Sequence, residues 1–351
     1  MSEVKHHVAV IGCGWMGVQY VEAYHTYPDT EVVAIAEANP EQRGAVADRF
    51  GVKGRYADVH GLLRDMTPDV VAVVTPTKYF REVVMACAEA GVKGISVEKP
   101  VAGVLSDADE MVEVCESRGV VLAGGRVQRA MNEVQEAARR LRAGDYGLLT
   151  GASVHFWGNG TEISGGGNQH VNVLRLLADA EIEEVMAWGT PAEALAGDTD
   201  LGLTINGRFR LSNGIDCPVF GMATPYGGLD GGVDVWTETA LVRADSDKVP
   251  DIFADFDESG ARVPINPGFA PYEWSQWGYL TGSIRSFLAT LETGSELWVS
   301  GHDLRQALEV AIAAKLSAKL GNVPVKLPLE DRSLSLYPRR GRWLGQAAGF
   351  S

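Results

Sequence analysis

A chain of 351 residues is longer than one ordinary hydrophobic core needs and long enough for two. Its 46% hydrophobic and 22% charged composition is that of a globular protein. The net charge of -15 argues against nucleic acid and anionic membranes as partners, and no apolar run reaches the roughly 20 residues that span a bilayer. Cys13, Cys87, Cys115 and Cys217 are widely spaced with no CxxC pair, so neither a zinc site nor a disulfide framework is expected. They read as reduced thiols of a cytoplasmic protein, and the polar stretch Met1 to His7 has no signal-peptide pattern.

In chain order, the first 125 residues alternate short apolar runs with helical patterns. Val8 to Ile11 predicts a strand, Trp15 to about Tyr27 a helix, and Val32 to Ala36 a second strand. Pro40 stands where a first helical turn tolerates it, and that helix runs to about Phe50. Asp58 can cap a short helix through Arg64. Val70 to Val74 is a strong strand, followed by a helix that stops at Gly91. Val92 to Val97 is the next strand; Ser106 with Asp109 resembles a capping box for a helix ending near Gly119; Val120 to Ala123 closes the series. The strands are apolar runs rather than alternations, as expected when both faces of a parallel sheet are covered. The predicted fold is an α/β Rossmann domain over 1–125, followed over 126–351 by an α+β domain for substrate binding and oligomerisation.

In that second part a helix from about Met131 to Arg142 carries Val134, Ala137, Ala138 and Leu141 on one stripe. Period-two strands then dominate. Leu201, Leu203, Ile205, Phe209 and Leu211 point one way, and Thr204, Asn206, Arg208, Arg210 and Ser212 the other. Val233, Val235, Thr237, Thr239 and Leu241 repeat the scheme, which predicts an open-faced, mostly antiparallel sheet. Leu304, Leu308, Ala311, Ile312 and Leu316 form a late helical stripe.

Gly12-Cys13-Gly14-Trp15-Met16-Gly17 follows a strand and opens a helix. The first glycine makes the tight turn, the second admits a pyrophosphate, and the third packs helix on strand. The helix N-terminus, at Trp15 and Met16, offers N–H donors to the phosphates. Glu37, 20 positions after Gly17 at the end of the second strand, can accept hydrogen bonds from a ribose diol. A 2′-phosphate would meet like charge there, so NAD is favoured, while Arg43 keeps NADP open. Thr75-Pro76-Thr77 and Glu98-Lys99-Pro100 stand at strand ends on the edge where open α/β sheets bind ligands. Lys99, on a short stiff segment, suits a hydrogen bond to a substrate hydroxyl and proton transfer. No metal cluster is apparent.

The glycine loop, Val32 to Glu37, Thr75-Pro76-Thr77 and Glu98-Lys99-Pro100 together resemble the Gfo/Idh/MocA oxidoreductases, the family of glucose-fructose oxidoreductase and inositol dehydrogenase. Val325-Lys326-Leu327-Pro328 is similar to that family's C-terminal ending, so the resemblance spans the whole chain. It implies an NAD(P) domain, hydride transfer at a carbon of a sugar, cyclitol or related polyol, and a homodimer or homotetramer formed through the sheet.

The family pattern also implies an Asp and a His near Gly165 to Leu177, but that segment departs from it. Aligned on Leu174 to Leu177, Gln169 takes the catalytic His position and Asn172 the Asp position; a shift of one residue places His170 there instead. His170, the only histidine in the segment, is the candidate acid/base beside Lys99. Gln128, Trp157, Gln169 and Asn172 are the candidate substrate contacts, with Arg126, Arg129 and His155 as neighbours. The basic tail Tyr337 to Trp343 either docks on another subunit or is a solvated end. Two rival readings stay open: a redox-neutral glycoside-cleaving or epimerising enzyme that uses NAD transiently, and a catalytically silent NAD-binding regulator.

Overall fold

The computed structural model describes residues 6–156, 162–221, 231–245, 249–265 and 280–345. They form two compact units. The first is a β/α series: β1 (His6–Ile11), α1 (Trp15–Thr26), β2 (Thr30–Ala36), α2 (Pro40–Phe50), β3 (Gly54–Tyr56), α3 (Val59–Asp65), β4 (Val70–Val73), α4 (Phe80–Glu89), β5 (Gly94–Val97), α5 (Leu105–Ser117) and β6 (Val121–Gly124). The sheet is parallel throughout, in the order β3-β2-β1-β4-β5-β6. Order reverses between β1 and β4, which opens a crevice at their C-terminal ends.

Local chemistry explains most of these boundaries. Asn39 Oδ1 accepts the Glu41 and Gln42 N–H groups ahead of Pro40, and Asp58 Oδ1 accepts the Gly61 N–H at 2.7 Å. The four residues of β4 are fully buried, which is why the strand is an unbroken apolar run. One expected cap is wrong. Helix α5 starts at Leu105 after Val104 with no side-chain cap, so Ser106 lies inside the helix. Asp109 instead accepts Arg305 Nε at 2.9 Å, outbidding the helix end as a partner.

The second unit, from Gln128, contains α6 (Asn132–Ala143), β7 (Leu149–Phe156), α7 (Gly167–Ala178), β8 (Ile182–Thr190), α8 (Ala192–Ala196), β9 (Thr204–Leu211), β10 (Asp216–Gly221), β11 (Gly232–Thr237), β12 (Leu241–Asp245), β13 (Asp251–Phe256) and β14 (Arg262–Ile265). With a short final strand, Val325–Lys326, they make a nine-stranded sheet. Every neighbouring pair is antiparallel except β7 with β10. Val154, Val185, Ile205, Phe209, Val219 and Val233 are buried on one face, and α7 packs on β7 and β11. The other face carries Trp188, Arg208, Arg210 and Phe220, the two aromatics each 45% exposed.

The period-two reading holds along β9 from Ile205 to Leu211. Leu201 departs from it, standing 47% exposed before the strand begins. The repeat through Leu241 is also interrupted: Thr237 and Ala240 close a turn, with Ala240 N–H donating to Thr237 Oγ1 at 2.9 Å. Thr239 and Leu241 therefore do not continue β11.

The chain then returns to the first unit. Helix α9 (Leu280–Thr293) adds Leu280, Ile284, Phe287 and Leu288 to the core around Tyr20 and Tyr24. A Cβ at Gly94 would stand 2.6 Å from Phe287 Cζ, so glycine lets this helix approach the sheet. Helix α10 (Gly301–Lys319) follows, and α11 (Arg340–Leu344) ends the described chain in the first unit. The four cysteines are buried and unbridged. Among the described residues no helix is long and apolar enough to cross a membrane.

Candidate active site

At the glycine loop the three glycines meet three different demands. Gly12 has φ +97°, and a Cβ there would stand 2.6 Å from the Val74 carbonyl oxygen. A Cβ at Gly17 would overlap the Gly12 carbonyl oxygen. At Gly14 a Cβ would meet nothing within 4 Å; this is open space at the N-terminus of α1. Gly14 caps that helix without a side chain, and Trp15 is 66% exposed. The loop thus presents uncapped N–H groups and the positive helix end to a ligand, the arrangement a pyrophosphate requires.

Glu37 stands at the end of β2 and does a second job that spacing alone does not reveal. Its Oε2 accepts the Cys13 N–H at 2.8 Å and its Oε1 the Asn39 N–H at 2.9 Å. It therefore ties the glycine loop to the start of α2, and Gln42 Nε2 adds a bond to the Cys13 carbonyl. Arg43 donates to the Glu37 carbonyl at 2.6 Å, so its guanidinium is engaged with the main chain. Burial, then the Glu37 charge, pushes the Cys13 thiol up to about 12, so it stays protonated and inert.

Thr75 and Pro76 follow β4, and Thr75 Oγ1 donates to the Pro76 carbonyl at 3.2 Å. Phe80 is 1% exposed and lies in the core. Glu98-Lys99-Pro100 follows β5. Lys99 Nζ donates to the Arg126 carbonyl at 3.0 Å and lies 3.9 Å from Glu98 Oε2. Its side chain is only 10% exposed. Glu98 accepts the Tyr20 hydroxyl at 2.5 Å and the Arg126 N–H at 2.9 Å. Arg342, on α11, donates to the Lys99 carbonyl at 3.0 Å. The tail is therefore no solvated end: α11 folds back beside Thr77–Tyr79 of its own first unit.

In the second unit the candidates gather around α7. Every residue of that helix is buried except Gln169. Gln169 Oε1 accepts the Gln128 N–H at 2.8 Å. Gln128 is buried, donates its side-chain amide to the Asp245 carbonyl, and keeps its Oε1 unpartnered among the described residues. Asn172 donates to Asn168 Oδ1 at 2.9 Å and accepts from Arg175 at 3.3 Å. His170 is 1% exposed with its ring against Phe156 at 5.8 Å. Burial first, then His155, lowers its pKa to about 4. The imidazole is thus neutral at pH 7 and a weak base. Trp157 lies outside the described residues.

The structure brings Gly12, Gly14, Trp15, Met16, Gly17, Glu37, Thr75, Pro76, Glu98 and Lys99 to the strand ends and the loop of one sheet edge. Sequence reading missed Tyr20 and Arg342, whose partners are 78 and 243 positions away. No local signal announces such pairs.

Residues 6–125 match the family model described as "Oxidoreductase family, NAD-binding Rossmann fold". The chain is 26% identical over 333 residues to D-apiose dehydrogenase of Paraburkholderia graminis, covering 89% of this chain and 88% of that protein. It is 26% identical over 329 residues to myo-inositol 2-dehydrogenase of Thermotoga maritima, covering 88% and 95%. A solved NAD-binding oxidoreductase from Klebsiella pneumoniae superposes with a TM-score of 0.79 at 16% identity, over 94% of this chain and all of that one, and so shares the fold. With the glycine loop, Glu37 and Lys99 in place, the chain is an NAD-dependent oxidoreductase whose residues 6–125 are similar to the NAD-binding domain of the Gfo/Idh/MocA oxidoreductases.

Proposed function

We propose that the protein exchanges a hydride between NAD and a carbon of a sugar, cyclitol or related polyol, with Lys99 as the proton-transfer group. The similarity to apiose and inositol dehydrogenases supports the substrate class. The observation that carries the role of Lys99 is its placement: a nearly buried ammonium at the sheet edge, held by a neutral carbonyl 3.0 Å away. In its neutral amine form such a lysine accepts the substrate hydroxyl's proton as the hydride leaves the carbon and becomes the ammonium; in the reverse direction the ammonium returns that proton to the carbonyl oxygen, which avoids building an unstable charge.

The loop N–H groups at Gly14, Trp15 and Met16 would hold the pyrophosphate, with Gly12 and Gly17 shaping the turn. Glu37 would accept from the adenosine ribose; Thr75, Pro76 and Glu98 complete that edge. Bound NAD supplies the hydride acceptor. Gln128, Gln169 and Asn172 are the proposed hydroxyl contacts, and the unpartnered Gln128 Oε1 suits a hydroxyl donor. The burial and weak basicity of His170 favour a supporting role for it, which leaves Lys99 as the proton carrier. We place the protein in the cytoplasm, where buried thiols stay reduced, as a homodimer or homotetramer joined through the sheet face of Trp188 and Phe220.

The test is NADH formation with D-apiose, myo-inositol, scyllo-inositol and methyl glucosides. Steady NADH production on one or more of these is expected. Cleavage of a glucoside without net NADH would replace this reading with the redox-neutral one, and NAD binding without any turnover would replace it with the silent regulator.

A further inference from the structure

We infer that Tyr20 is a positioning residue for Lys99: its phenol donates to Glu98 and fixes where the Glu98 carboxylate stands relative to the lysine ammonium. The inference rests on the proposed role of Lys99. Tyr20 sits on α1, the helix that begins at the glycine loop, and is 1% exposed. Its hydroxyl lies 2.5 Å from Glu98 Oε1, and the Arg126 N–H reaches the same oxygen at 2.9 Å. The two donors occupy Oε1. The other oxygen, Oε2, accepts the Lys99 N–H at 3.3 Å and stands 3.9 Å from Lys99 Nζ. The ammonium is thus bonded to the Arg126 carbonyl and held just short of a direct hydrogen bond to the Glu98 carboxylate.

Two features make this a built arrangement. A Cβ at Gly125 would overlap the Tyr20 hydroxyl and crowd Glu98 Oε1, so only glycine admits the phenol. Burial, and next the Glu98 charge, raises the Tyr20 pKa well above 10, so the phenol remains a donor over the whole working range. Tyr24, on the same helix, is buried and pushed up beyond the usual phenol range, so it adds no charge. Among the described residues, Arg126 accepts from Lys99 Nζ through its main-chain carbonyl and Arg342 donates to the Lys99 carbonyl, and both side chains are cationic. Glu98 is the carboxylate whose placement Tyr20 controls.

Removing the phenolic donor leaves more of the carboxylate's charge to act on Lys99 and frees Oε1 to turn toward it; both changes favour the ammonium. Competitive acylation of lysines with acetic anhydride, read by peptide mass spectrometry across pH, reports the titration midpoint of Lys99 without needing a substrate. Tyr20→Phe should raise that midpoint by about half a unit, and Glu98→Gln should lower it by about one unit or more. NAD affinity should stay within about threefold in Tyr20→Phe. A midpoint in Tyr20→Phe equal to that of the wild type overturns the inference. If Tyr20→Phe does not fold, Glu98→Gln decides: a midpoint that fails to fall removes the charge on which the inference depends. Full activity in Lys99→Met is a separate outcome that overturns the role of Lys99 itself.

Discussion

The edge of the parallel sheet and the N-terminal end of α7 are built on opposite plans. At the edge, side chains are withdrawn from the ligand space: Gly14 leaves open volume, Trp15 is exposed, and the first-turn N–H groups of α1 have no side-chain cap. Charged groups there are held by the main chain around them, Glu37 by Cys13 and Asn39, Lys99 by Arg126. At α7 the polar groups are turned on one another, Asn172 on Asn168 and Arg175, and the one histidine is buried against Phe156. The first region leaves open space, where we propose that a ligand is received and a proton moved; the second is a packed polar core in which Gln169 alone among the α7 residues is not buried. A titratable residue in a promising segment is thus weaker evidence of chemistry than a charge whose surroundings leave it room to act.

The sharpest break in this comparison should come from the glycines. Gly17→Ala forces a Cβ onto the Gly12 carbonyl and should cost at least about 4 kcal/mol of stability in urea unfolding, or prevent folding. Gly14→Ala meets nothing in the protein and should leave stability within about 0.5 kcal/mol while weakening NAD binding at least tenfold, measured by NADH fluorescence titration. Equal stability loss in both would remove the distinction between a structural and a ligand-facing glycine.

Next in size is the pH response of the α7 region. Burial holds the folded-state pKa of His170 at about 4, below the ordinary histidine value of 6.5. The unfolded chain therefore binds more protons between these values, and stability falls as pH drops through them, by up to about 3 kcal/mol. Asp200 has the opposite sign. Burial raises its pKa from 3.8 to about 6, so its contribution is present below 3.8 and lost as pH rises through 6. The two offset each other in the wild type. Asp200→Asn should expose the His170 loss, with stability dropping by about 3 kcal/mol from pH 7 to pH 4 in urea unfolding. His170→Asn should instead become more stable relative to the wild type over the same interval. No difference between the variants would mean that His170 is not held neutral by burial.

A smaller effect is expected at the tail. Arg342→Gln removes a charged donor from the Lys99 carbonyl and should lower kcat about threefold to tenfold, with the NAD dissociation constant unchanged in fluorescence titration. Wild-type kcat in this variant would show that α11 only covers the edge.

Much of this comparison was legible in the sequence, and the reasons differ by region. The runs that became β1, β2, β4, β5 and β6 announce themselves because a strand buried on both faces is apolar throughout. Strand β3 does not, since Gly54-Arg55-Tyr56 has no apolar run. Gly12, Gly14, Gly17 and Glu37 are local in sequence and meet at one edge, so spacing suffices. The return of α9 to the first core depends on Phe287 finding Gly94, a match between distant segments. The choice between Gln169 and His170 depends on which side of α7 faces the core. An adjacent pair on a helix that is buried nearly all round gives no periodic signal for that choice.

The central claim is that the proton is moved from the sheet edge and not from α7. Its most direct test compares Lys99→Met with His170→Asn in kcat/KM for NADH formation, using whichever panel polyol turns over fastest and with NAD affinity measured in parallel. Lys99→Met should fall about 10²-fold or more and His170→Asn should stay within about threefold, both with wild-type NAD affinity. A large loss in His170→Asn beside near-normal turnover in Lys99→Met would contradict the account and assign the proton to α7.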